Sequence, residues 1–170
     1  TEYSINWFNW LKDKKFNLYQ LAVDKFWRIQ LDKKAASLSG LYSFCGDEDI
    51  FLAAITIIPN LLRDYSNIHP NLLMTMLENI VGNVESTILI SLVDESLKKR
   101  HLRKNFTRAM WLSVGFMCDR ASYMTRLSDE LVRNADAKWY VKKLLFSDVF
   151  SRCDNELYTR SAGYRKDVVI

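Results

Sequence analysis

The chain has 170 residues, a mass of 20.0 kDa and a net charge of +4, with a pI near 8.9. Apolar residues make up 49% and charged residues 26%, enough apolar side chain for one packed core and too little net charge for a disordered chain. With only 5 Gly and 2 Pro, turn residues are too few for a β-sandwich or barrel, which leaves helices.

Apolar residues recur at helical period along most of the chain, and no strand-like alternation bounded by hairpin turns interrupts them. A first segment, about Ser4 to Lys12, carries Trp7, Phe8, Trp10 and Leu11. A second, about Asn17 to Leu38, places Leu18, Leu21, Ala22, Phe26 and Ile29 at i, i+3, i+4 spacing, with Gly40 as its stop. Asp47 reads as the N-cap of a third helix, with Glu48 and Asp49 in the dipole-favoured first turn. That helix runs through Ile50 to Ile58 and meets Pro59, which is expected to kink or restart it. After a turn at Asp64, Ser66 and Asn67, Pro70 opens a helix to about Val81, ended near Gly82. Further helices are expected over about 84–97, 102–118, 121–133 and 135–150. The organisation expected is one helical domain over 1–153 and a polar tail over 154–170.

Two ladders share a spacing. Ile68, Leu72, Met76 and Ile80 step by four, and Leu102, Phe106, Met110 and Val114 repeat the pattern 34 residues later, each followed by a glycine, Gly82 and Gly115. Around Pro59 the text reads Ile-Ile-Pro-Asn-Leu-Leu-Arg-Asp, then Ile68-His69. This resembles the turn region of a HEAT repeat, over residues 47–118. The resemblance implies a short HEAT-like helical solenoid; the alternative for the same seven to eight helices is an orthogonal helical bundle. Either way the fold class is all-α.

Chemistry-bearing motifs are sparse. Cys45, Cys118 and Cys153 are widely spaced, which suits reduced, buried thiols in a cytoplasmic protein. No Cys or His pair has zinc-ligand spacing, and no Gly-rich phosphate loop or nucleophile elbow occurs, so no metal and no cofactor is expected. The longest apolar run, Ile50 to Ile58, falls well short of the roughly 20 residues a membrane span needs, so no membrane partner is expected. Arg63 and His69, at R-x5-H spacing with a polar residue after Arg63, form a pattern similar to the active-site motif of HEPN-type ribonucleases. That resemblance implies metal-independent RNA cleavage, with His69 moving a proton and Arg63 holding a phosphate. The other reading of the pair is a solvated turn.

Charge is unevenly placed: residues 35–97 carry net −7 and residues 98–108 net +6. The basic block holds Lys98, Lys99, Arg100, Arg103, Lys104 and Arg108. In a helix, Arg100, Lys104 and Arg108 form one stripe, which fits an anionic partner: a phosphate backbone, an acidic protein surface or the chain's own acidic central segment. Alternatively, Lys98 to Arg100 cap the preceding helix, where cations are favourable. Trp7, Phe8, Trp10 and Leu11 cannot all point one way on a helix, and Phe26 beside Trp27 repeats the situation. Burial is the default; the other outcome is a partner site or a self-association face.

By elimination the sequence reads as a non-enzymatic protein-interaction domain: a scaffold, adaptor or inhibitor. It would dock a protein partner through Trp7, Trp10 and the block Lys98 to Arg108. The alternatives are a nucleic-acid-binding helical domain using that block, and the HEPN-like ribonuclease using Arg63 and His69.

Overall fold

The computed structural model describes residues 10–41, 48–99 and 106–146. A helical stretch over residues 10–14 leads into α1 (Phe16–Asp32), α2 (Glu48–Asp64), α3 (Pro70–Ile80), α4 (Ser86–Leu97), α5 (Thr107–Cys118), α6 (Arg120–Arg133) and α7 (Lys138–Phe146), with a 3-10 turn (Ala135–Ala137) before α7. No strand occurs among the described residues. The fold is all-α.

The sequence of α5, TRAMWLSVGFMC, is apolar nearly all round, and such a helix must be enclosed by others. It packs on α4, α6, α7 and α3, and nine of its 12 residues are buried. Gly115 lies inside it rather than at its end. A Cβ at this position would meet the Tyr123 ring, 2.5 Å from Cδ1 and 2.8 Å from Cγ. A helix-interior glycine costs up to about 1 kcal/mol in propensity, and here that cost lets α6 lie directly on α5. Tyr123 is buried, and its hydroxyl donates to Asp94 Oδ1 at 2.8 Å, which ties α6 to α4. Burial, then the Asp94 carboxylate, push the phenol up to about 12. Asp119 caps α6: its carboxylate accepts from the Ser122 hydroxyl at 2.6 Å and the Ser122 backbone N–H at 3.1 Å. These bonds hold its carboxyl below the usual range.

Three expectations about helix limits are corrected. The helix expected to Leu38 ends at Asp32. Lys34 adopts φ 55°, the Lys34 N–H bonds to the Leu31 carbonyl and the Ala35 N–H to the Gln30 carbonyl. This is a Schellman closure with lysine in glycine's usual place. The restart at Pro59 does not occur, and α2 runs through it. The missing N–H and ring clash cost about 3 kcal/mol in an isolated helix. Around it Ile57, Ile58, Leu61 and Leu62 are buried, each contributing roughly 1.5–3 kcal/mol, so burial wins. The helix expected to begin at Ala135 opens as the 3-10 turn instead. Asp47, residues 100–105 and 147–170, and with them the polar tail and the starts of two expected helices, lie outside the described residues. Of the two glycines that follow the ladders, Gly82 sits at φ 83° in the turn after α3, whereas Gly115 is helical.

Substituting Gly115→Ala forces a methyl into the root of a buried ring, and the expected loss is about 1–3 kcal/mol in urea unfolding, with an unchanged slope. Because the Asp119 carboxyl is held low in the folded state, its contribution is present at neutral pH and fades as pH falls through the acid range. Asp119→Asn keeps the cap without the titration. Its melting temperature should match the parent near neutrality less closely than at acid pH, where the parent loses its advantage; parallel curves down to pH 3 would refute the assignment.

Candidate docking surface

The two faces of α1 decide the character of this surface. Tyr19, Val23, Trp27 and Leu31 form the buried face. Trp27 is 1% exposed, and its indole N–H donates to the Ser39 carbonyl at 2.9 Å. Gln30 holds Ser39 twice, donating from Nε2 to its Oγ at 2.6 Å and accepting from its N–H at 2.9 Å. Arg28 bridges Asp24 at 2.9 Å and Asp64, at the end of α2, at 2.7 Å. Those two carboxylates raise its pKa further above the usual arginine range. The Tyr65 hydroxyl donates to Asp32 Oδ1 at 2.9 Å, and partial burial, then Asp32, raise its pKa. Exposed ion pairs of this kind are worth roughly 0.2–1 kcal/mol each, so they set orientation while Trp27 and Tyr19 supply most of the energy.

The opposite face is apolar as well. Leu18, Leu21, Phe26 and Ile29, which share helical spacing in the sequence, point outward and are 50–54% exposed. Phe26 beside Trp27 splits as the sequence requires, one residue out and one in. Ala22 lies between them, half-buried, with exposed Lys25 on the same stripe. Trp10, in the helical stretch before α1, is 57% exposed. A second exposed aromatic that spacing did not single out is Trp139 on α7, also 57% exposed, with the Lys143 ammonium 5.3 Å from its ring centre.

The basic block divides. Lys98 is the C-cap of α4 and exposed. Lys99 donates from Nζ to the Arg63 carbonyl in the last turn of α2 at 3.4 Å, so it serves a helix C-terminus. Arg108 is paired with Glu130 at 3.0 Å across α5 and α6. Arg100, Arg103 and Lys104 lie outside the described residues, as does Trp7.

Arg63 and His69 stand on either side of the α2–α3 turn. The Arg63 guanidinium faces Glu95 at 3.6 Å. His69 is the N-cap of α3, its Nδ1 accepting from the Asn71 N–H at 3.3 Å, with Pro70 next. The adjacent cleft, lined by Tyr65, Ser96, Lys99, Thr107 and Trp111, encloses about 20 Å³, room for about one water. Among the described residues no three His, Cys, Asp or Glu side chains converge as metal ligands do, and no helix is long and apolar enough to cross a membrane. Cys118, at the end of α5, is half-buried; Cys45 and Cys153 lie outside the described residues. Comparison with known protein families, curated proteins and solved structures gives no match.

A cap through imidazole Nδ1 at this length is weaker than one through a carboxylate. His69→Asp should raise stability by about 0.5–1 kcal/mol, and His69→Ala should lower it by a similar amount, both read from urea midpoints.

Proposed function

We propose that this chain is a protein-interaction domain that docks a helical partner on the outward face of α1. The single observation that carries the reading is the seam Leu18, Leu21, Phe26 and Ile29, half exposed on a helix whose other face is already packed. A helix with one buried stripe normally turns charge to water; this one turns four large apolar side chains, with Trp10 near their N-terminal end. Large apolar residues and Trp are the side chains that anchor interfaces when a partner covers them.

The charges fit the same use. Lys14, Lys15, Lys25, Lys33 and Lys34 are exposed on and around α1, so the rim of the seam is mainly cationic. Exposed Asp13 and Asp32 interrupt it at the two ends, and such a rim fixes a partner's orientation more than it adds affinity. A HEAT-like ancestry for residues 47–118 belongs with this proposal, because repeats of that type present helix faces to protein partners. The nucleic-acid reading draws less support, since Lys99 and Arg108 are spent on internal contacts. The ribonuclease reading draws less as well, since Arg63 faces Glu95 and His69 caps α3.

A photo-reactive phenylalanine analogue placed at position 21 tests the proposal, with position 60, an exposed polar site on α2, as control. Discrete cross-linked species are expected from position 21, absent from position 60 and lost when Phe26→Glu is added. Equal labelling from both positions, or none from position 21, would sink it.

A further inference from the structure

We infer that the partner on the α1 seam is a second copy of this chain, the two α1 helices lying antiparallel across a two-fold axis. The inference rests on the docking reading above and names its occupant.

The argument is self-complementarity. A two-fold interface sets the same surface against itself, so each residue must suit the one that the axis brings opposite. Leu18, Ala22, Lys25 and Ile29 follow i, i+4, i+7, i+11, the seam period of paired helices, with Leu21 and Phe26 flanking it. Let the axis cross this seam at the level of residues 23 and 24. Leu18 then meets Ile29 of the other copy, and Leu21 meets Phe26. Ala22, the small residue of the seam, meets Lys25, whose methylene stem can lie across it while the ammonium stays in water. At the ends Lys15 meets Asp32 and Asp13 meets Lys34, all four exposed and opposite in charge. Lys14 against Lys33 is an unfavourable match, placed at the rim where salt screens it. A parallel pairing would set Lys25 against Lys25 in the middle of the seam.

Orientation is fixed beforehand. The Arg28 bridge to Asp64, the Tyr65 bond to Asp32 and the Trp27 bond to Ser39 hold the inner face against the core, so the seam is presented without rearrangement. Four half-exposed large side chains offer on the order of 400 Å² of apolar surface per copy, about half of what a standard stable interface buries per partner. The dimer is therefore a small, reversible one.

Sedimentation velocity of the full chain, over a wide concentration series, tests this directly. The mass should climb from 20.0 kDa toward twice that value. Leu21→Glu with Phe26→Glu should stay at the monomer mass throughout. Both side chains are exposed, so the melting temperature should be kept, which separates lost association from lost folding. Asp13→Lys should weaken the dimer several-fold, and adding Lys34→Asp should recover most of the loss; that recovery is specific to the antiparallel register. A single monomeric species across the series overturns the inference, and so does association that survives the Leu21/Phe26 double substitution. If the chain is monomeric and position 21 still cross-links to a different protein, the dimer is refuted while the docking reading stands. If position 21 cross-links to nothing, both fall together.

Discussion

The arrangement depends on the enclosure of α5. Its sequence offers almost no polar stripe to water, so α3, α4, α6 and α7 must gather round it. Gly115 sets how closely α6 can come, and Tyr123 uses the space, reaching past α5 to Asp94 on α4. One missing methyl group thus positions a buried ring, and the ring positions a hydrogen bond between two other helices. The capped start at Asp119 turns the chain sharply from α5 into α6, so the two helices that touch most closely are also adjacent in sequence.

The helices α2 and α3 link this centre to α1. The last turn of α2 is unusually occupied: Asp64 takes Arg28 from α1, the Arg63 carbonyl takes Lys99 from beyond α4, and the Arg63 guanidinium faces Glu95. Two segments, α1 and the C-terminal end of α4, are therefore registered against one helix end. Cations at a helix C-terminus are favourable in themselves, so the basic residues here serve the fold before they serve a ligand. This is why the net +6 of residues 98–108 overstates the charge offered to an outside partner. Lys99 and Arg108 are committed to neighbours, and only Lys98 of the described members stands exposed as a helix cap.

The fold class was legible because it rests on period and on scarce glycine and proline, which are properties of the sequence itself. Helix starts at Pro70 and near Arg120 were legible for the same reason, since caps are local. Ends were less so: the closure at Lys34 uses a left-handed lysine where the rule looks for glycine, and continuity through Pro59 is decided by burial of Ile57, Ile58, Leu61 and Leu62 against other helices. The site was half legible. Adjacent aromatics such as Phe26 and Trp27 announce that one of them must face outward, but not which. Both stripes of α1 are apolar at helical spacing, so periodicity alone does not say which of them packs. The choice is made in three dimensions, where Trp27 finds the Ser39 carbonyl and Tyr19 finds the core.

That choice has an energetic logic. Tyr19 and Trp27 each bury roughly 150–250 Å² and carry a polar atom that needs a partner, which a packed protein wall can supply and a reversible interface supplies only part of the time. Leu18, Leu21, Phe26 and Ile29 carry no polar atom, so they can be wet in one state and covered in another with nothing left unsatisfied. The division of the two stripes between core and surface therefore assigns the residues that demand fixed hydrogen bonds to the permanent contact. Those that tolerate exchange with water are left on the outer face, where the proposed contact would form. A helix built only to fold would have placed lysine and glutamate on its outer face; α1 spends solubility there instead, and a docking role gives that expense a physical reason.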